Sequence, residues 1–479
     1  MSQCSTFPTE LWTEICSLLP TEALRNLSST HHPLYDVARP LGFTEYKLYP
    51  YPYDFYPDRN KLDDALERLA FYTSPEMAPK VRTSTARINT YKWQGSPQRE
   101  DQGSEHVLMN AFFAALPKFT ALQELCANRI QFTRTGLTSM CALRTLRRVE
   151  VSACTIANGQ HIDRASLTLS IEKFTARFDD RMNDLWMSSL SRDTLRDLEF
   201  AEPMGVINVR PFPNVRRLKV HNLPPHLSDT LAIFSKFQNL RIYESSYTSV
   251  LRNVPPAQEA AIFPVLEQYT GAFENLTIFL QRPTLTHIEL ESGYPVQLLL
   301  DHLRGYTLVP NITSFTAFFT SDAENEFGET ELNALLTLFP GLRELELKLR
   351  PDAREDGGFT PQATTFFSKL PSSALLPRTL KTLSLEWDFP YEYGSTESAM
   401  GNDPAAPLPA DIPDLPSLCA ALRERCPELI HIYLNGYHFG YVWWNTDSVW
   451  EATANSYDEI EMIRVNRNER IHGPPVLIS

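Results

Sequence analysis

Apolar residues recur along this chain with two different periods. Near the N-terminus Leu11, Ile15, Leu18 and Leu19 fall at i, i+4, i+7 and i+8, the stripe of an amphipathic helix. Pro8 suits its first turn, Glu10 suits the positive end of its dipole, and Pro20 stops it. Thr21 is placed to cap a second helix, whose stripe begins with Leu24 and Leu27. Pro33 ends that run, and Leu34, Val37, Ala38 and Leu41 form a third short face before Gly42. Beyond it, loose alternation predicts a strand over 43–48 and another over 81–88. Between them lie a Tyr/Pro-rich connection at 49–57 and a helix over 61–72 with Leu62, Ala65, Leu66 and Leu69 on one face. The polar stretch 94–103 reads as a linker.

From residue 105 a single unit returns. Its strand carries apolar residues at i, i+3 and often i+5, as in Leu122-x-x-Leu125, Leu143-x-x-Leu146-x-x-Val149-x-Val151, Leu195-x-x-Leu198-x-Phe200 and Val215-x-x-Leu218-x-Val220. The later copies begin at Leu285, Ile312, Leu342, Leu380 and Leu429, with degenerate ones expected at 169–176 and 263–269. Amphipathic helices separate them, for example over 106–116, 227–237, 296–303, 331–339 and 418–425. One strand–turn–helix unit cannot cover its own apolar face, whereas stacked units share one continuous core. The expected fold is therefore α/β, a solenoid with parallel strands on a concave face and helices outside. A doubly wound α/β domain has the same alternation, but no Gly-x-Gly-x-x-Gly and no P-loop follows any strand. Two stretches interrupt the pattern, acidic 352–358 and the long aromatic–acidic then Ser/Gly/Pro/Ala-rich 387–414. After Leu434 the repeats end, and the aromatic-rich 437–479, with Trp443, Trp444 and Trp450, reads as a cap over the exposed end of the core.

The N-terminal run Phe7-Pro8-Thr9-Glu10, Leu11, Ile15, Leu18, Leu19-Pro20, Leu24, Leu27, Ser28-Ser29-Thr30 resembles an F-box. It departs from the family in having Phe7 where Leu is usual, and Leu34-Tyr35 where the third helix often holds Trp or Arg. The later units resemble irregular leucine-rich repeats. Their spacing varies from about 20 to about 50 residues, and the Asn or Cys that usually follows the strand is approached only at Asn222, Asn435 and Cys154. Together the resemblances imply an F-box-like helical domain over 1–42, a connecting segment with the first degenerate repeats over 43–104, a leucine-rich-repeat-like solenoid over 105–436 and the cap over 437–479. They imply the non-catalytic substrate-recognition subunit of an SCF-type cullin–RING ubiquitin ligase. A Skp-type adaptor, and through it a cullin, would be held by Pro8, Leu11, Ile15, Leu18, Leu19, Pro20, Leu24 and Leu27. An unknown protein substrate would meet outward strand positions, with Glu289, Glu344, Glu346 and Tyr433 as candidates, and Trp387 at the start of the aromatic–acidic loop as a further one. Glu291, Lys348, Glu386 and His431 complete that outward set, whose acidic lean favours a basic substrate surface.

Composition narrows the function further. The chain has 479 residues and a net charge of -14, which argues against a general nucleic-acid or anionic-membrane surface. It has no apolar run of the ~18 residues a membrane span needs. The N-terminus is polar and acidic, unlike a signal peptide, so the chain is expected to begin at Met1 and to be cytoplasmic or nuclear. Seven cysteines, odd in number and without C-x-x-C, fit a reduced compartment and no zinc site. No Gly-x-Ser-x-Gly, His-Glu-x-x-His or kinase signature occurs, and neither cofactor nor metal is expected. Two other readings remain open. One is a leucine-rich-repeat scaffold without a ligase role, its N-terminal hairpin buried as a cap against residues 43–90. The other is an enzyme with a deep polar pocket gathered from several repeats.

Overall fold

A computed structural model describes residues 8–19, 21–30, 32–48, 59–87, 103–156, 167–177, 183–246, 251, 254–306, 308–321, 327–351, 362–387, 414–436, 439–446, 449–454 and 457–472. The chain divides into two units, Met1–Leu240 and Arg241–Ser479.

The first unit opens with three helices, α1 (Thr9–Ser17), α2 (Thr21–Thr30) and α3 (His32–Gly42). Cys16, Leu24 and Ala38, one from each helix, form their shared core, and Leu19, Leu27, Val37 and Leu41 pack against it. Pro33 lies in the first turn of α3, where its missing N–H leaves no helical bond unmade. The strands of the unit are β1 (Glu45–Leu48), β2 (Thr83–Arg87), β3 (Glu124–Asn128), β4 (Gln131–Phe132), β5 (Arg148–Ser152), β6 (Thr155–Ile156), β7 (Lys173–Arg177), β8 (Asp197–Phe200) and β9 (Arg217–Val220). All but β4 and β6 pair in parallel and in chain order; those two form a short parallel ladder of their own. A doubly wound sheet would reverse this order at a switch point. The helices between strands are α4 (Arg59–Tyr72), α5 (Gly103–Ala115), α6 (Arg134–Cys141), α7 (Asn183–Ser189) and α8 (Leu227–Phe234).

The core of this unit repeats with the strands. Leu122, Leu146, Leu195 and Val215 are buried just before their strands, and Leu125, Val149, Phe174, Leu198 and Leu218 are buried within them. Helix rings close on this face: Tyr46 meets Tyr72 at 4.9 Å and Phe174 meets Trp186 at 5.8 Å between centroids. Successive turns are copies of one another. Arg129 and Ala153, each the residue after its strand, share the left-handed conformation with φ of 56° and 51°. The Cys154 thiol donates to the Ala127 carbonyl of the preceding repeat at 3.3 Å, satisfying an acceptor between two successive turns.

In the second unit β10 (Ile242–Ser245), β11 (Gln268–Gly271), β12 (His287–Tyr294), β13 (Ser314–Ser321), β14 (Glu344–Pro351), β15 (Thr382–Trp387) and β16 (His431–Asn435) are again parallel and in chain order. Two antiparallel strands, β17 (Gly440–Asn445) and β18 (Val449–Ala454), then close the series. The helices are α9 (Pro256–Glu259), α10 (Leu276–Leu280), α11 (Val296–His302), α12 (Glu329–Leu338), α13 (Gln362–Ser373), α14 (Leu415–Arg425) and α15 (Tyr457–His472). Gly341 precedes β14 in the Pro340-Gly341-Leu342 turn, where a Cβ would stand 2.2 Å from the Pro310 carbonyl oxygen; only glycine lets the two turns stack.

The last strands are covered on both faces. On one face Trp443 receives Arg423 of α14, its guanidinium 4.4 Å from the ring centroid. On the other, Tyr433, Val442 and Ala454 pack with Ile460 and Ile463 of α15. α15 therefore lies on the side of the sheet opposite α14, where the strands were expected to be open.

Several expectations change accordingly. Residues 169–176 and 263–269 do lead into β7 and β11, but β10 was unanticipated. The connection 49–57, most of 94–103, all of 352–358 and nearly all of 387–414 lie outside the described residues; Gly103 opens α5 and Trp387 ends β15. Tyr433, expected to face outward, and Trp387, expected in a recognition loop but instead the last residue of β15, are both buried. Trp387 shares the inner face with Leu383 and Leu385 and packs on Phe366 and Phe367 of α13, at 5.2 and 5.1 Å between centroids. Tyr433 is buried because α15 covers it. His431 and Glu386, also expected outward, are buried as well.

Candidate functional site

Two surfaces carry the residues singled out by the sequence. The first is the outer face of α1. Leu11 and Ile15 are each 43% exposed and Leu18, just past the helix end, is 82% exposed. Trp12 beside them is half-buried and Pro8 is exposed. The split within the expected set comes from helix geometry. One side of α1 supplies Cys16 to the three-helix core, so the Leu11/Ile15 side points away from it. Leu24 belongs to that core, Leu19 and Leu27 are half-buried against it, and Pro20 lies outside the described residues. Leu11, Ile15 and Leu18 thus form an apolar stripe in contact with water, and fully burying a Leu or Ile side chain is worth about 2 kcal/mol. The three-helix element is tied to α4 and the turn beyond it by an Arg39–Glu76 ion pair of 3.1 Å and by Phe43 against Tyr72, at 6.0 Å between centroids.

The second surface is the strand face opposite the helices. Glu289, Glu291, Glu344 and Lys348 are exposed on it. Glu289 accepts from the Thr270 hydroxyl at 3.3 Å. Glu346 is partly covered and pairs with Arg467 of α15 at 3.3 Å. Arg467, with only 4% of its side chain exposed, also donates to Ser384 Oγ at 3.1 Å and sits over the Tyr433 ring. Burial pushes the Tyr433 hydroxyl pKa up, with Glu386 adding to it. Burial, with Arg467 nearby, pushes the His431 imidazole down to about 3, so the ring is neutral at physiological pH. The acidic lean expected of this face is thus solvent-exposed on β12 and on the start of β14, and is covered beneath α15. The covering helix was missed because its residues show no strong apolar stripe in sequence; the buried Arg467 is visible only once α15 is laid on the sheet.

The six described cysteines are unpaired by disulfides. Burial, helped by Glu124, pushes the Cys126 thiol up to about 12, and burial pushes Cys141 and Cys426 up to about 11, so none of these three is a thiolate near neutral pH. Among the described residues no three His, Cys, Asp or Glu side chains are grouped to hold a metal ion, and no helix is long and apolar enough to cross a membrane.

No protein family and no curated protein matches the chain. Solved structures similar to parts of it include a TLR13–ssRNA13 complex, at 12% identity and a TM-score of 0.34 over 65% of this chain and 40% of that one. They also include the complex of Rad7 and Elc1 from yeast, at 11% identity and a TM-score of 0.33 over 82% of this chain and 90% of that one. The chain thus spans well under half the length of the first of these.

Proposed function

We propose that this protein is the substrate-recognition subunit of an SCF-type cullin–RING ubiquitin ligase, its first three helices docking on a Skp-type adaptor and its repeats holding a protein substrate. The observation that carries the reading is the coincidence of two independent facts about the three-helix element. Its residues from Pro8 to Leu27 match the F-box order, and the described members of that set not used in the three-helix core, Pro8, Leu11, Ile15 and Leu18, are left exposed. A hairpin serving only as a cap on the repeats would bury that stripe. Exposed anchors of this type behave as hot spots, on the order of 2 kcal/mol each when truncated. The protein acts without catalysis of its own in this reading, inside the cell.

The test is co-purification of the full chain with a Skp-type adaptor, beside a Leu11→Ala/Ile15→Ala double variant. The expected result is a stable complex that the double variant fails to form while keeping the wild-type melting curve. A well-folded wild-type chain that leaves the adaptor unbound overturns the reading and leaves a repeat scaffold whose partners must be sought on the strand face.

A further inference from the structure

The first unit carries a charge pattern that the adaptor reading does not use. Each strand begins with a residue pair, one just before it and one at its first position, and parallel pairing brings these pairs side by side. On β5, β7, β8 and β9 they are Arg147-Arg148, Glu172-Lys173, Arg196-Asp197 and Arg216-Arg217. Backbone hydrogen bonds fix the row: Glu172 N to Arg147 O at 2.8 Å, Arg196 N to Glu172 O at 2.8 Å, and Arg216 N to Arg196 O at 2.8 Å. Six cations therefore stand against two acids on one edge of a chain whose net charge is -14. All five arginines are exposed. Arg147 pairs with Glu172 at 3.0 Å, while Arg148, Arg196 and Arg216 have no ion-pair partner among the described residues. The row stops at β3, whose pair is Gln123-Glu124.

A cleft of about 280 Å³, with Met187, Leu190, Val209 and Phe212 as apolar lining and Arg192 and Arg210 as cations, is lined by α7 and by the segments that lead into β8 and β9. The Asn214 side chain, two residues before Arg216, donates to the Arg192 and Asp193 carbonyls at 3.4 and 3.2 Å, holding the Arg192 turn next to the row.

We infer that this edge of β5–β9 is a docking surface for an acidic protein segment, its carboxylates spread along the arginine row and one apolar side chain seated in the adjoining cleft. With strands about 4.8 Å apart, the row runs about 14 Å, the length of four or five residues of extended chain. Arg forks match carboxylates two hydrogen bonds at a time, and an apolar pocket flanked by cations selects an apolar residue with acidic neighbours. A nucleic acid fits less well. Glu172 and Asp197 interrupt the row where a continuous phosphate backbone would pass, and the outward strand positions of β3–β9 offer no Phe, Tyr or Trp on which bases stack. This surface lies apart from α1 and does not depend on the adaptor being bound.

The experiment uses the full chain and three fluorescein-labelled probes: a dodecapeptide alternating Glu and Leu, its Lys/Leu counterpart and a mixed-sequence single-stranded oligonucleotide. The expected result is saturable binding of the Glu/Leu peptide, weakened by salt, with no comparable binding of the Lys/Leu peptide. Arg196→Glu/Arg216→Glu should weaken it about tenfold or more, and the milder Arg148→Gln/Arg216→Gln should weaken it in the same direction with an unchanged melting curve. Glu289→Lys/Glu344→Lys, in the other unit, should leave it unaltered. Equal binding of both peptides, indifference to both arginine pairs, or tighter binding of the oligonucleotide than of the acidic peptide would each overturn the inference.

Discussion

The Arg467 guanidinium of α15 lies over the Tyr433 ring of β16, 4.5 Å from its centroid. The contact spans the covered face of the sheet and joins the C-terminal helix to strands that precede it by many residues, since Arg467 also reaches Ser384 and Glu346. Removing it leaves Glu346 and a buried hydroxyl without their partner. Arg467→Ala should lower unfolding stability by about 2–4 kcal/mol, and Arg467→Lys should recover only part of it, because an ammonium neither stacks flat on a ring nor forks between two acceptors. Denaturant unfolding of the three chains is the measurement. Equal stability of wild type and Arg467→Ala would mean α15 contributes nothing through this residue.

His431 makes stability pH-dependent. Its folded-state pKa is pushed down to about 3 by burial and by Arg467, while the unfolded chain keeps a value near 6.5. The unfolded state therefore binds more protons between these values, so stability rises with pH across that window and falls as acid is added from about 6.5 toward 3. Above pH 6.5 the residue has no effect, because both states are neutral. The ring lies against Trp444 at 4.4 Å between centroids, and neither ring nitrogen has a hydrogen-bond partner among the described residues. His431→Phe should flatten the dependence in the window by up to about 1.4 kcal/mol per pH unit. Melting curves at pH 7, 6 and 5 for both chains decide it.

In the three-helix element the side chains that hold the core differ from those left exposed. Leu24 is 4% exposed and central to its core, so Leu24→Ala should destabilise the element by about 2–5 kcal/mol. Leu11→Ala and Leu18→Ala should change its stability by less than about 0.5 kcal/mol. Hydrogen exchange of residues 9–42 in the three variants distinguishes these cases; loss of protection in Leu11→Ala would place that side chain in the core after all.

Arg282 is a buried bolt in the second unit. Its Nε donates to the Ile262 carbonyl at 3.0 Å and to the Phe263 carbonyl at 3.2 Å. Its Nη atoms donate to Ile278, Glu259 and, at 2.6 Å, again to Ile262. Two of these carbonyls, of Ile262 and Phe263, belong to the turn in which Phe263 is a non-glycine residue at φ 49°. A lysine cannot serve so many acceptors at once. Arg282→Lys and Arg282→Met should each cost more than about 2 kcal/mol, by leaving buried carbonyls unbonded and freeing the strained turn. Thermal unfolding reads this directly, and a shift no larger than that of a surface Arg→Lys exchange would refute it.

Much of the repeat pattern was legible because it is local. Leu-x-x-Leu places one residue under the strand's start and the next on its inner side, so each such run from Leu122 to Leu429 coincides with a strand and a buried pair. β10 escaped notice for a chemical reason. Leu240-x-x-Tyr243 has the same spacing, but Tyr243 and Ser245 stand where Leu is expected; both are buried, and the larger ring fills the space against Phe263 and Phe279. Trp387 was legible in principle, since alternation from Leu383 and Leu385 puts it on the inner face. The arginine pairs were visible as residues, yet only the register of β5 to β9 makes them a row.

What the residues determined by themselves is therefore everything that depends on neighbours in sequence. That includes the helical stripes of α1 to α3, the period-2 alternation of the strands, the turns before them and the absence of a recognisable catalytic motif. The tertiary structure alone decided which faces are covered. A period says that Tyr433 and Ile432 point to opposite sides, but Tyr433 is buried because α15, supplied from beyond β18, lies upon it, and Leu11 is exposed because the core of its three helices is complete without it. Burial is a property of two surfaces meeting, and the second surface comes from residues too far along the chain for any local pattern to announce.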